Sequence, residues 1–414
     1  MKASGTTEPE VRRLAPRPLA LHMAAAVTTG FGALAALPAA RAGLLPWAPA
    51  LDGEAGELTP ELRAAAPEAL AAAVAGAVER RLHRFMAGIE AYRAHPYARA
   101  IRPPKVAWRE GTTRLLAVGP AEGGAEGAAL LFVPSLINRY YVLDLMAESS
   151  LVRWLASAGR RVLVVDWDAP GEVERNFTVA DYVTGRLERL LDAALELAGG
   201  PPVLAGYCLG GTLSLGLASR RGGDLAGLAL LAAPWDFHAG RDGQSRLFLA
   251  AEGLIDGLSA GFGELPVDVL QALFAGLDPN LASRKFRRFA TLAPESPAAR
   301  RFVALEDWLN DGVPVAAAVA RECLLDWYGA NLPARGLCRL AGHPVRPEAL
   351  DLPAFVAIPG EDRIVPPASA EAILAALPEA RVVRPRAGHI GMMVGGRAER
   401  GLWRPLLEWL GELA

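Results

Sequence analysis

The sequence predicts an α/β protein: a mostly parallel sheet with helices on both faces, a helical cap insertion and a helical N-terminal region. Three observations predict it. After Pro103-Pro104, short β-branched or Leu-rich runs alternate with helical stretches, the pattern of strands joined by helical crossovers. Runs such as Val162-Leu163-Val164-Val165 are apolar at every position, as strands buried on both faces require. With 414 residues, 52% of them hydrophobic, the chain has ample material for a large core.

The N-terminal 105 residues read as helical. Residues 19–40 are apolar, follow Arg12, Arg13 and Arg17, and are interrupted by His22, Thr28-Thr29-Gly30 and Pro38. Because the run is Ala-rich, a helix packed on the protein or on a hydrophobic surface is the expectation, with a targeting or anchoring segment as the alternative. Over 60–98, Leu70, Val74, Val78, Leu82, Phe85 and Ile89 recur every three or four residues, which puts them on one helix face. Pro96 should stop that helix.

The main domain, 106–414, has strand candidates at 114–118, 129–134, 161–166, 202–206, 227–232, 354–359 and 381–384. Helices are expected at about 149–158, 179–198, 208–219, 367–377 and 401–413. Residues 119–127, rich in Gly, read as a loose turn. From about 236 to 350 the alternation stops and helical pattern takes over, including 248–258, 267–275 and 302–327. An insertion between late strands sits at the carboxyl edge of the sheet, so it reads as a cap over a ligand site.

Composition excludes several functions. Lys+Arg is 43 and Asp+Glu is 45, a net charge of −2, without the basic excess of a nucleic-acid binder. Three cysteines in this length rule out a disulfide scaffold, and no Cys-x-x-Cys pair or His cluster points to zinc, so no metal site is expected.

The strongest chemical signal is Gly206-Tyr207-Cys208-Leu209-Gly210-Gly211, placed between an apolar strand and a helix. This is a nucleophile elbow with Cys208 as the nucleophile, presented at a helix N-terminus that favours the thiolate. The flanking glycines leave room for a strained turn. Asp362 follows a late strand and His389 lies in Ala387-Gly388-His389-Ile390-Gly391 after the last one. Nucleophile, acid and His occur in the chain order of an α/β-hydrolase fold. Asp236 is a competing acid. The oxyanion hole should use the backbone N–H of Leu209 and a second one from Leu136 or Ile137, with Ile137 taken as the site residue. Cys323, Cys338 and the histidines 22, 83, 95, 238 and 343 read as structural. Trp308, Trp327 and Tyr328 read as core, or as lining an acyl tunnel if the insertion is a lid.

These residues resemble the polyhydroxyalkanoate synthases. The likeness runs from about 129 to 395 and is carried by Phe132-Val133-Pro134-Ser135-Leu136-Ile137-Asn138-Arg139-Tyr140-Tyr141-Val142-Leu143-Asp144-Leu145, the Cys elbow, Ala233-Pro234-Trp235-Asp236-Phe237-His238 and Gly388-His389-Ile390-Gly391. The chain departs from the family at Ser135, where a second Pro is common. The resemblance implies an acyltransferase that takes (R)-3-hydroxyacyl-coenzyme A, holds the growing polyester as a thioester on Cys208 and releases coenzyme A. It implies His389 as the base for the thiol and Asp362 as the acid linked to deprotonation of the incoming 3-hydroxyl. It further implies no cofactor beyond the coenzyme A thioester, a cytoplasmic location with association to storage granules, a polymer granule surface and a helper subunit as partners, and a homodimer. The residues themselves leave open a Cys-dependent hydrolase, either thioesterase or esterase, and a non-catalytic granule protein.

Overall fold

The structure, a computed structural model, describes residues 13–14, 16–48, 51–119, 127–240 and 244–413. The chain forms two compact units. One comprises residues 1–97 and 271–310, the other 98–270 and 311–414.

The second unit is built on an eight-stranded sheet among the described residues. Its strands are β1 (Lys105–Glu110), β2 (Thr113–Val118), β3 (Leu130–Val133), β4 (Val162–Asp166), β5 (Val203–Tyr207), β6 (Gly227–Leu231), β7 (Ala354–Ala357) and β8 (Arg381–Val383). Their order across the sheet is β1-β2-β4-β3-β5-β6-β7-β8. β1 and β2 form an antiparallel hairpin turned at Gly111, whose φ of 56° favours glycine. β2 runs antiparallel to β4, and from β4 onward every pairing is parallel. Every residue of β3 to β7 is buried, which is why those runs lack polar alternation. β1, absent from the sequence reading, is a charged edge strand, Lys-Val-Ala-Trp-Arg-Glu, whose three apolar residues are too few to mark it.

The strand order positions the site. β3 and β5 are neighbours, and β5, β6, β7 and β8 follow one another across the sheet. The loops after β3, β5, β7 and β8 therefore open on one edge.

Helix expectations hold in the crossovers and, in the insertion, at 267–275, which lies in helix Val267–Leu277; 248–258 is split between Gln244–Ala250 and Glu252–Phe262. Leu209–Arg221 follows the elbow as expected. The stretch 179–198 is helical but opens as a π-helix, Asp181–Leu187, before α-helix Glu188–Ala198. The helix expected over 302–327 is broken. Pro297–Asn310 ends, Val315–Ala316 pairs as a short strand with Glu264–Leu265, and helix resumes at Ala317–Arg321 and Glu322–Gly329. Gly312 and Pro314 explain the break, because proline removes a helical donor and biases the residue before it to extended backbone. Of the turn expected at 119–127, residues 120–126 lie outside the described residues.

In the first unit the helix expected over 60–98 is two helices, Asp52–Ala64 and Pro67–Arg93. Ala66 is extended (ψ 133°), as a residue preceding proline should be, and Pro67 starts the second helix. The predicted face of Pro67–Arg93 buries Phe85 and Ile89, joined by Gly88 and Tyr92. Part of the inserted segment, 271–310, belongs to this unit and supplies the partners. Phe286 sits edge-on to Phe85, Tyr92 and Phe302, with centroids at 6.3, 5.7 and 5.3 Å. Beside this cluster the Tyr92 hydroxyl donates to Asp307 Oδ1 at 2.6 Å, Arg13 Nε to the same oxygen at 2.8 Å, and Lys285 Nζ meets buried Glu306 at 2.7 Å. Helices Leu19–Ala35 and Leu37–Ala42 form a 24-residue run long and apolar enough to cross a membrane, with 11% of its apolar window buried. Only Ala26, Gly30 and Ala40 of this run are buried, and Phe31 is 68% exposed.

Phe286→Ala should destabilise this unit by about 3–5 kcal/mol, since it removes a fully buried ring from three aromatic contacts. Thermal and urea unfolding of the full chain would measure it, and an unchanged midpoint would show that the cluster does not hold the unit together.

Candidate active site

One residue separates the end of β5 from the start of helix Leu209–Arg221. Reversing direction in so short a span forces Cys208 to φ 56° and ψ −132°, a conformation that costs a non-glycine residue on the order of 1–3 kcal/mol. Two backbone hydrogen bonds hold it: the Cys208 N–H donates to the Leu231 carbonyl at 2.9 Å, and the Gly211 N–H donates to the Cys208 carbonyl at 2.8 Å. The flanking glycines are required by close approach. A side chain at Gly206 would begin 2.6 Å from the Gly210 carbonyl oxygen and from Ser214 Oγ. One at Gly210 would lie 2.7 Å from the Pro134 oxygen and collide with Val133, and one at Gly211 would strike Ala233. The Gly210 contact also brings the loop after β3 against the elbow.

Asp362 follows β7 and His389 follows β8. The Gly360 N–H donates to the Pro385 carbonyl at 2.9 Å and the Glu361 N–H to the Ala387 carbonyl at 3.1 Å, so the two loops are tied together. Asp362 Oδ2 bonds His389 Nδ1 at 2.7 Å. Its Oδ1 accepts the N–H groups of Ile364 and Val365, both at 2.8 Å. Burial disfavours the imidazolium, but neighbouring Cys208 and the hydrogen bond to Asp362 outweigh it, raising the His389 pKa to about 10. The structure thus joins His389 to Asp362 by a hydrogen bond and sets Cys208 near enough to act on the imidazole.

Asp236 is not part of that group. Its Oδ1 accepts from the N–H groups of His238 and Ala239 and from Asn331 Nδ2, at 2.9, 3.1 and 2.8 Å, which organises the turn after β6. Leu209 is the first residue of its helix, so its N–H has no intrahelical acceptor and is free to face an oxyanion. The Ile137 N–H reaches Ser135 Oγ at 3.5 Å, a weak contact that a better acceptor could displace. The thiols of Cys323 and Cys338 are pushed up by burial, Cys338 to about 11. The rings of His22, His95 and His238 bond to backbone carbonyls of Arg17, Pro294 and Gly329, and His83 and His343 are exposed. No group of three potential metal ligands occurs among the described residues.

The sequence reading missed several supporting residues. Tyr207 stacks on His389, with centroids at 5.0 Å, and its hydroxyl donates to the His389 carbonyl at 3.2 Å. Trp167 Nε1 donates to the Pro134 carbonyl at 3.0 Å and steadies the oxyanion loop. Arg139 binds Asp168 Oδ1 at 2.7 Å and Asp311 Oδ1 at 3.0 Å, while Tyr141 donates to Asp311 Oδ2 at 2.9 Å. Asn138 pairs with Gly312 in an isolated β-bridge. These contacts fasten the oxyanion loop to the return limb of the insertion. Phe237 packs on Trp327 and Tyr328 at 5.6 and 4.9 Å, and Phe248 on Tyr328 at 5.5 Å, so aromatics bind the insertion to the loop after β6. For Tyr207, Asn138, Arg139, Tyr141 and Phe237 the sequence signal is membership in the family-like stretches.

A sheet of this order carrying a nucleophile elbow, an acid and a His at one edge defines an α/β-hydrolase-type site, and residues 128–396 match the family model described as alpha/beta hydrolase fold. The chain belongs to that family. Residues 97–155 match the model described as poly-beta-hydroxybutyrate polymerase N-terminus. Among curated relatives, a protein of Haloferax mediterranei named poly(3-hydroxyalkanoate) polymerase subunit PhaC is 30% identical over 320 residues, covering 75% of this chain and 64% of that one. The protein of the same name from Allochromatium vinosum is 27% identical, covering 75% of this chain and 89% of that one. The chain thus spans just under two thirds of the first relative's length. Its relatives within the family are the polyhydroxyalkanoate synthases. Among solved structures, a monoacylglycerol lipase of Paleococcus ferrophilus is similar with a TM-score of 0.47 and 17% identity, over 73% of this chain and 99% of that one.

A His pKa raised in the folded state stabilises the fold below its ordinary value and loses that contribution as the pH climbs. Between pH 6.5 and 10 the stability of the wild type should therefore fall. Urea midpoints across that range should show the decline, and His389→Gln should flatten it; parallel profiles for the two proteins would contradict the assignment.

Proposed function

We propose that the chain is a polyhydroxyalkanoate synthase-like acyltransferase that polymerises (R)-3-hydroxyacyl groups from coenzyme A thioesters. The observation that carries this reading is the strained Cys208 elbow beside the His389–Asp362 hydrogen bond, in a protein whose relatives are named for that polymerisation. The Cys208 sulfur attacks the thioester carbonyl carbon. As the new C–S bond forms, the bond to the coenzyme A sulfur breaks, and that sulfur takes the proton held on His389. The N–H groups of Leu209 and Ile137 face the oxygen that carries charge in between. In the second half, His389 accepts the proton of a 3-hydroxyl, whose oxygen attacks the acyl-Cys208 carbonyl and displaces the thiolate. The chain grows by one ester and Cys208 is regenerated.

Asp362 acts through His389 in this scheme. Both of its oxygens are occupied, one by the imidazole and the other by two backbone N–H groups. Its function is to hold the ring orientation and support the imidazolium. The reaction needs no cofactor beyond the substrate thioester. Work at a storage-granule surface in the cytoplasm follows from the product, and the word subunit in the relatives' names supports a helper subunit.

With 3-hydroxybutyryl-coenzyme A, the purified protein, with and without a candidate helper, should release coenzyme A and form insoluble polymer, and Cys208→Ala should abolish both. Release of coenzyme A with only free hydroxy acid would make the protein a Cys-dependent hydrolase. Asp362→Asn should slow acyl loading and elongation alike, by roughly two to four orders of magnitude. Loss confined to elongation, read by single-turnover loading against steady-state polymerisation, would give Asp362 a direct role at the hydroxyl.

A further inference from the structure

A cavity of about 470 Å³ lies on the flank of the His389 loop, lined by Arg384, Arg386, Ala387, Met392, Arg397 and Arg400 among others. It sits beyond β8, the last strand of the sheet. Arg386 precedes His389 by three residues and Met392 follows it by three. Four of the lining residues are arginines and none is a carboxylate. Arg384 shares Glu371 at 3.2 Å, while Arg386, Arg397 and Arg400 form no ion pair among the described residues.

A second cavity, about 810 Å³ at the far end of helix Leu209–Arg221, is lined by three arginines, two of them neutralised: Arg220 pairs with Glu188 at 2.6 Å, and Arg221 with Asp224 and Asp192 at 2.5 and 2.9 Å. On the His389 flank one of the four, Arg384, is so paired among the described residues. Like charges gathered around one cavity repel, and an anion seated among them relieves the repulsion. Guanidinium forks match the oxygens of phosphate better than a point charge does. Arg397 and Arg400 are three residues apart, at the turn that leads into Glu399–Trp403.

We propose that this cavity binds phosphoryl groups. Two sources share that chemistry: the nucleotide phosphates of the coenzyme A thioester, which rests on the function proposed above, and a free inorganic phosphate anion, which does not. In the first case the arginines anchor the remote part of the substrate beside the loop that carries His389, and binding energy distant from the thioester contributes to its positioning.

The Cys208→Ala protein, which does not turn over, would be titrated by calorimetry with coenzyme A, pantetheine and inorganic pyrophosphate. Coenzyme A and pyrophosphate should bind more tightly than pantetheine. Adding Arg397→Gln and Arg400→Gln should weaken both phosphate ligands by about tenfold or more and leave pantetheine unchanged. Binding of pyrophosphate but not of coenzyme A, lost in the variant, assigns the cavity to a free anion. Equal affinity of variant and parent for both phosphate ligands overturns the proposal. Arg386→Gln, a single exposed change, gives the same test if the double variant melts early. Because the readout involves no turnover, failure of the polymer assay and failure of the anion site are separate results.

Discussion

The site depends on one strained residue. Cys208 occupies a backbone region that side chains avoid, and nothing in its own chemistry keeps it there. The strain is held by its surroundings: the Leu231 carbonyl at the end of β6, the first turn of helix Leu209–Arg221, and three glycines whose missing side chains let strand, helix and the loop after β3 meet at van der Waals distance. The same close approach that fixes the Cys208 turn brings the oxyanion loop alongside. Nucleophile placement and oxyanion placement are thus two consequences of one packing constraint. A bulkier residue at Gly210 would move both at once.

The family-like stretch 132–145 acquires a physical meaning from its contacts. It does not supply the nucleophile, base or acid. It fixes the loop after β3 through the Asn138 bridge to Gly312, the Arg139 pairs with Asp168 and Asp311, and the Tyr141 hydroxyl on Asp311. Buried Asp144, held by Ser150, Arg153 and Arg99, closes the segment behind it. Exposed ion pairs contribute little to stability singly, but several pairs sharing Asp311 and Asp168 restrict where the loop can lie. Positioning an N–H to a few tenths of an ångström matters more at an oxyanion than the energy of any one pair.

What was legible in the sequence follows from how local each signal is. The buried strands announce themselves by continuous apolar runs, and the elbow by glycines at fixed offsets from Cys208. The order of Cys208, Asp362 and His389 is a chain property and needs no coordinates. β1 stayed hidden because an edge strand with Lys105, Arg109 and Glu110 has too few apolar residues to mark it. The false helix over 302–327 came from reading hydrophobic spacing across Gly312 and Pro314, where backbone chemistry overrides periodicity. Its place after a late strand favours Asp362 over Asp236, but both follow a strand at the same sheet edge. The choice is decided by hydrogen bonds to Asn331 and to His389, contacts 95 and 27 residues away. Tyr207 and Arg139 were visible as letters, but their partners were not.

A thioesterase and a polyester synthase can share every atom of the Cys208, His389 and Asp362 group, so the difference between them lies in what reaches the acyl-Cys208 carbonyl. Water is small and abundant, and a hydroxyacyl group competes with it only where the approach is dry and shaped. The elements that can provide such shape are the inserted segments fastened to the catalytic unit: Glu322–Gly329 with Trp327 and Tyr328, and Phe237 and Phe248 opposite them. Those aromatics are anchored by the same loop after β6 in which Asp236 organises the turn through Asn331. Asp236 thereby gains a reason to stand beside the site without serving as its acid. It holds the turn after β6, while Asp362 holds the imidazole, and the proposed acyl transfer draws on both.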